Sequence, residues 1–195
     1  MPRTATPARS SRPNQVRIIG GQWKRTPLPV ADRPGLRPTP DRVRETLFNW
    51  LGQDLTGWRC VDAFAGTGAL GLEAASRGAA DVLLVEAEGV LVDQLRALVK
   101  KLDARTVRIQ RGNALTVLAA LPPAGVDLVF LDPPFEGGLF DKALAAARPV
   151  LTAEGFLYLE APAAWDAQAL APYRLELLRH TKAGAVHGHL LRPVA

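Results

Sequence analysis

An alternation of apolar strand-like segments with helix-like segments from residue 59 onward constrains the fold more than any other feature. Buried strands separated by helices form a mostly parallel sheet covered on both faces. The sequence therefore predicts an α/β protein whose ligand crevice lies at the carboxyl ends of the strands. Strands are predicted at 59–64, 82–86, 107–110, 126–131 and 156–160, helices at 69–77, 89–102, 115–120, 139–148 and 165–170, and an antiparallel edge hairpin at 173–182 and 186–191.

The residues before this alternation form an N-terminal extension with a different pattern. Residues 16–19 and 23–28 are predicted to pair as a short hairpin, followed by an irregular, proline-rich loop. Apolar residues at helical spacing predict a helix over 41–51, capped by Thr39 or Asp41. We therefore divide the chain into three parts: a disordered basic arm (1–14), an extension (15–52) and an α/β domain (53–195).

Positive charge is concentrated at the start of the chain. Residues 1–44 contain ten Lys or Arg and two Asp, a net charge of +8, and the remaining residues carry −3 within a total of +5. A basic front end on a mildly acidic body indicates a polyanion as the partner, with nucleic acid the natural candidate. The simpler interpretation, for the first 14 residues above all, is a solvated tail.

Two absences in the sequence narrow the class of protein. No apolar run approaches the ~20 residues that span a bilayer, which predicts a soluble protein with no membrane partner. The single cysteine, Cys60, excludes an intrachain disulfide framework and is typical of a reducing compartment. We therefore expect a cytoplasmic monomer, and the sequence offers no cluster of Cys and His for a metal.

A glycine-rich turn joins the strand predicted at 59–64 to the next helix. Gly66, Gly68 and Gly71 satisfy the G-x-G-x-x-G spacing of dinucleotide-binding turns, and Glu86 ends the following strand, where ribose hydroxyls can donate to it. However, the Asp62 carboxylate just before the turn would repel a pyrophosphate. It suits a ligand that carries an ammonium group, such as S-adenosylmethionine. A structural turn without any ligand is the simpler alternative.

Asn113 follows the strand predicted at 107–110, beside the position expected for the adenine of a bound cofactor. Its side-chain carbonyl can accept a hydrogen bond from an adenine amino group, and its amide can donate to a ring nitrogen. The residue type alone is not specific. The prediction of an adenine contact therefore depends on the position of Asn113 in the fold.

A rigid corner, Asp132-Pro133-Pro134-Phe135, follows the buried strand predicted at 126–131. Two consecutive prolines fix the backbone and supply no N–H, so the corner presents carbonyl oxygens and a carboxylate as acceptors. Acceptors that hold the hydrogens of an exocyclic base amine direct its lone pair at a methyl donor and stabilise the positive charge developing on nitrogen. Phe135 is expected to stack on the extruded base. These four catalytic residues therefore indicate N-methylation of a nucleic-acid base.

These motifs resemble those of a known family. Residues 62–68 and 132–135 are similar to the cofactor loop and catalytic motif of class I amino-methyltransferases. Residues 17–23, 36–51 and 68–74 resemble the RsmD family, which methylates N2 of a guanine in 16S ribosomal RNA. The resemblance extends from about residue 17 to residue 191. It implies a seven-stranded, mostly parallel, Rossmann-like class I methyltransferase sheet with a C-terminal antiparallel hairpin and a small N-terminal extension.

The resemblance also implies ligands and partners. It implies S-adenosyl-L-methionine as the cofactor, and 16S rRNA, the small ribosomal subunit or an assembly intermediate as the partner. Relatives usually have Asp where this chain has Asn113. The cofactor-binding residues implied are Asp62, Phe64, Gly66, Gly68, Glu86 and Asn113. The residues expected to contact RNA are Arg17, Lys24, Arg25, Arg37, Thr39 and Arg42.

Three other functions stay open at this point. An adenine-N6 methyltransferase acting on DNA or RNA would use the same corner, although the chain lacks a separate target-recognition domain. A non-catalytic RNA-binding module would keep the fold without needing the acceptor corner. A dehydrogenase is the weakest alternative, because Asp62 opposes a nicotinamide dinucleotide.

Overall fold

The computed structural model describes residues 15–30 and 39–194, so the predicted basic arm (1–14) and Arg37 lie outside the described residues. The strands within these residues are β1 (Gln15–Arg17), β2 (Pro27–Pro29), β3 (Arg59–Asp62), β4 (Asp81–Glu86), β5 (Val107–Arg111), β6 (Val126–Leu131), β7 (Leu151–Ala161), β8 (Leu175–Ala183) and β9 (Val186–Pro193). The α-helices are α1 (Asp41–Trp50), α2 (Ala69–Ser76), α3 (Gly89–Lys101), α4 (Ala114–Ala120), α5 (Phe140–Ala147) and α6 (Ala167–Leu170).

A seven-stranded sheet forms the centre of the molecule, in the order β5-β4-β3-β6-β7-β9-β8. Strands β3 to β7 pair in parallel, and β9 pairs antiparallel with both β7 and β8. The β8–β9 hairpin turns at Gly184, which has a φ of 60°. The predicted mostly parallel sheet with a C-terminal antiparallel hairpin is therefore confirmed.

Two predictions about the extension were wrong. The segment 23–28 was predicted to pair with the first strand. The strand that pairs with β1 is instead β2, which begins at Pro27 and places Leu28 opposite Val16. Residues before Pro27 form the turn, and the prolines are tolerated because β1 and β2 make an isolated two-stranded sheet in the described part of the chain. Neither Thr39 nor Asp41 caps α1, because Pro40 occupies the cap position without a side-chain hydrogen bond.

Strand β7 is longer than predicted and begins at Leu151. Leu151 pairs with Val126, and the register then shifts so that Leu128 pairs with Phe156. The intervening residues include exposed Ala153 and Glu154. They carry little apolar signal, which is why the pattern located only the second half of the strand.

The extension packs into the same core as the sheet. Ile18, Leu47 and Phe48 are fully buried in one apolar cluster with Leu72 of α2 and Phe130 of β6. Helices α4 and α5 cover the opposite face of the sheet. No helix in the described ranges is long and apolar enough to cross a membrane.

A buried carboxylate, Glu73 of α2, joins the extension to the sheet domain. It accepts hydrogen bonds from the backbone N–H groups of Ile19 and Gly20 at 2.7 and 2.8 Å. Its oxygens lie 3.4 Å from Arg44 and 2.8 Å from Arg77, and the side chains of both Glu73 and Arg44 are fully buried. Arg44 is therefore a structural residue inside the molecule.

Candidate active site

Four carboxylates lie in a row on one face of the sheet. Asp62 and Glu86 end β3 and β4, Asp132 follows β6, and Glu160 is the penultimate residue of β7. Because side chains alternate along a strand, each points to the same face as the core residue two positions earlier, which for Asp132 is Phe130. The carboxyl ends of these parallel strands therefore form the predicted crevice, with an acidic lining.

The glycine turn is held by two of these carboxylates. Gly66 and Gly68 have φ values of 52° and 77°, in the region that favours glycine. Glu86 accepts hydrogen bonds from the Gly66 and Glu88 backbone N–H groups at 2.8 and 2.9 Å. Asp62 accepts one from Gly71 at 2.9 Å. The two side chains thus shape the loop from which a ligand would be bound.

The Asp62 carboxylate is buried beneath the loop. It is 2% exposed, and this burial raises its pKa to about 7, although the hydrogen bond from Gly71 acts to lower the pKa. A direct contact between Asp62 and the ammonium group of a ligand therefore stays a prediction. The acidic lining as a whole suits a cationic ligand such as S-adenosylmethionine and opposes the pyrophosphate of a dinucleotide.

Phe64 and Asn113 occupy different positions relative to the loop. Phe64 is half-buried and packs on the core beneath α4 and α5. The Asn113 side-chain oxygen caps α4 by accepting hydrogen bonds from Leu115 and Thr116 at 2.9 and 3.2 Å. That oxygen is therefore engaged with the helix, and an adenine contact through the amide N–H groups of Asn113 stays a prediction.

The residues of the proline corner differ in their exposure to solvent. Pro133 is buried, whereas Pro134 and Phe135 are exposed. Phe135 is 41% exposed, and its ring centroid lies 6.2 Å from that of Phe140. The Asp132 side chain is half-buried. Burial, followed by the negative charges of Glu160 and Asp62, holds the pKa of Asp132 well above its usual range. An acceptor group and an exposed aromatic ring thus stand side by side.

Glu160 and its neighbours were not identified from the sequence. The Glu160 carboxylate accepts a hydrogen bond from the Tyr158 hydroxyl at 3.1 Å and one from the Thr39 side chain. Thr39 is 4% exposed and lies beside the acidic row, and its contact with RNA stays a prediction. The only available signal was the period-two position of Glu160 at the end of an apolar strand.

Four other residues predicted to contact RNA lie in the described part of the chain, and they are exposed but spread out: Arg17, Lys24, Arg25 and Arg42. Arg17 pairs with Asp41 at 3.1 Å, and Arg42 lies on the exposed side of α1. Lys24 and Arg25 follow Trp23, whose backbone N–H donates to Ser76 at the last position of α2. An eight-residue helix is about 12 Å long, so the contact between Trp23 and Ser76 lies roughly that far from the glycine turn at the start of α2.

The sheet topology, the glycine turn over an acidic crevice and the proline corner together define a class I methyltransferase. A solved structure, the "Putative methyltransferase yhhF from Escherichia coli", superposes with a TM-score of 0.79 at 41% identity over 93% of this chain and 99% of that chain. A putative RNA methyltransferase from Pyrococcus horikoshii has the same fold, with a TM-score of 0.69 at 20% identity over 86% of this chain and 94% of its own.

Sequence comparison narrows the class to one family. The model of the family described as "Conserved hypothetical protein 95" matches residues 16–192. Two relatives are named "Ribosomal RNA small subunit methyltransferase D". The Escherichia coli K12 protein is 47% identical over 148 residues, 75% of this chain and 74% of that protein. The Haemophilus influenzae protein is 36% identical over 177 residues, 88% and 91% of the two chains. The chain belongs to this RsmD family of methyltransferases.

Proposed function

We propose that this protein transfers a methyl group from S-adenosylmethionine to the exocyclic N2 of a guanine in 16S rRNA, acting as a cytoplasmic monomer. The observation that carries the proposal is the acceptor corner at Asp132, located beside the glycine turn at the carboxyl edge of the sheet. The names of the relatives support small-subunit rRNA as the substrate. Guanine N2 comes from the family resemblance of the motifs.

Different residues of the chain would bind the cofactor and position the target base. S-adenosylmethionine supplies an electrophilic methyl group bound to a positively charged sulfur. The turn at Gly66 and Gly68 would hold that cation, and the Glu86 carboxylate beside the turn would favour its charge. Asp132 and the corner carbonyls would hold the target amine in line with the methyl group, and Phe135 would stack on the base. Positioning and charge stabilisation together then lower the barrier.

Methyl transfer from radiolabelled S-adenosylmethionine tests the proposal directly. Purified 16S rRNA, isolated small subunits and duplex DNA are each incubated with the enzyme, and the labelled nucleoside is identified after digestion. N2-methylguanosine from either ribosomal substrate is the expected product. N6-methyladenosine would establish the adenine alternative instead. If the protein binds the RNA but transfers no label to any substrate, it is the non-catalytic RNA-binding module.

The exposed basic residues of the extension predict a salt-dependent contribution to RNA binding. Replacing Arg17, Lys24 and Arg25 together with Gln removes three charges, so the slope of log affinity against log salt is expected to fall by about 2 to 3. Filter binding of 16S rRNA between low and moderate salt measures this slope. The charge-matched control replaces three exposed residues of α3: Arg96, Lys100 and Lys101. Equal slopes for both triple variants would contradict a specific role for the extension.

A further inference from the structure

Glu160 is a buried acid next to the catalytic corner, and the proposed function has not used it. Leu131 pairs with Leu159 in the parallel β6–β7 ladder, and the next residues on the two strands are Asp132 and Glu160. The two strands run about 4.8 Å apart, and both side chains therefore project to the same face of the sheet. Glu160 is only 3% exposed. Two carboxyl groups on adjacent strands, one buried and one half-buried, repel each other when both are ionised, and the Glu160 charge raises the pKa of Asp132.

The surroundings of the two carboxyl groups are unequal. Burial raises the pKa of Glu160, but the Thr39 and Tyr158 hydroxyls and the charge of Arg44 oppose that rise. Asp132 instead faces two negative neighbours, Glu160 and Asp62 of β3. Hydroxyl donors and a cation thus stabilise the ionised form of Glu160. A proton shared by the pair is therefore held mainly by Asp132.

We propose that Glu160 is a positioning residue whose negative charge makes Asp132 the acceptor of the proton that the target amine releases. The inference rests on the proposed function. In the transfer step, the amine nitrogen forms a bond to the methyl carbon while the carbon–sulfur bond breaks and its electron pair stays on sulfur. The nitrogen, now positively charged, releases one proton to the Asp132 carboxylate, from which the proton passes to water. A proton acceptor works best when its pKa lies near the working pH.

Removal of the Glu160 charge should lower the pKa of Asp132. Methyl transfer requires Asp132 to be ionised, so the rate rises as pH rises through that pKa. In Glu160→Gln the repulsion is gone, and the acid limb of the pH–rate profile is expected to move by about one pH unit or more to lower pH. The rate at the plateau is expected to fall several-fold, because a weaker base accepts the proton less readily.

Carbon-13 NMR of aspartate-labelled protein follows the same titration without any reaction. The Asp132 carboxyl signal is assigned by its loss in Asp132→Asn, and its midpoint is expected to fall by the same amount in Glu160→Gln. Glu160→Asp keeps the charge and is expected to retain a raised midpoint. The matched control is Glu154→Gln, an exposed position at the other end of β7, which should leave the midpoint unchanged.

Several results would overturn the inference. The first is a wild-type Asp132 titration midpoint at the ordinary aspartate value, and the second is an unchanged midpoint in Glu160→Gln. The third is a pH–rate profile of Glu160→Gln in which the rate falls but the acid limb does not move. If Glu160→Gln does not fold, Thr39→Val replaces it. Loss of that donor should move the shared proton towards Glu160 and lower the Asp132 midpoint, and no movement would again overturn the proposal. A wild-type enzyme that shows the coupled titration but methylates no RNA would disprove only the proposed function.

Discussion

Asp132→Asn is expected to lower kcat for methyl transfer by about 100-fold or more while leaving S-adenosylmethionine binding unchanged. Asparagine keeps the shape of the side chain, but it replaces one acceptor oxygen with a donor and cannot accept a proton. The target amine would then lose both its charged partner and its proton acceptor. Asp132 follows β6 and makes no hydrogen bond to the glycine turn, which Asp62 and Glu86 hold instead.

Single-turnover methylation of small subunits and calorimetric titration of the cofactor measure the two quantities separately. The control is Asp127→Asn on the same strand. Asp127 lies at the opposite end of β6, where its carboxylate pairs with Arg59 at 3.0 Å. Its activity is expected to stay close to that of the wild type. Loss of cofactor binding in Asp132→Asn would assign Asp132 to the cofactor site, and full activity would remove it from the mechanism.

Most of the sheet was predictable from the sequence because each strand is a buried apolar run bounded by polar residues or glycine. The positions of the candidate site residues were predictable where a motif joins a strand to a turn, as at Asp62 and Asp132. Both motifs are local, and local patterns survive folding because neighbouring residues stay neighbours. The same reasoning located Glu86 and Asn113 at the ends of their strands.

The residues that sequence reasoning missed depend on contacts between distant segments. Arg44 lies on a helix in the basic front end of the chain, yet it is fully buried, 2.7 Å from Asp41 on the same helix and 3.4 Å from Glu73, 29 residues later. Thr39 looks like a helix cap, but its partner is Glu160 on β7. No periodicity within the extension reports on an acid in another strand. The buried polar residues therefore had to come from the structure.

Glu73→Gln is expected to lower the free energy of unfolding by about 3 to 5 kcal/mol, the typical result of removing one partner from a buried ion pair. The substitution leaves Arg77 next to a neutral amide inside the molecule, while Arg44 keeps its ion pair with Asp41 at 2.7 Å. The new amide N–H group would also face the backbone donors of Ile19 and Gly20. Both changes weaken the attachment of the extension to α2.

Urea unfolding followed by circular dichroism gives the free energy. The fluorescence of a variant that keeps Trp23, with its other three tryptophans replaced by Phe, shows whether the extension detaches first. The control is Asp93→Asn, which removes an exposed ion pair with Arg96 at 3.2 Å and should change stability by less than about 1 kcal/mol. If Glu73→Gln is insoluble, Ser76→Ala tests the same attachment, because Ser76 donates to the Gly20 carbonyl and accepts from Trp23. A loss below about 1 kcal/mol in Glu73→Gln would contradict the role of Glu73, because removing a buried carboxylate charge that holds two backbone donors and two cations should destabilise the fold by more than that. A loss of the expected size would mean that the extension carrying Thr39 depends on a carboxylate of α2, and therefore that the acidic row and the basic extension are assembled by one buried network.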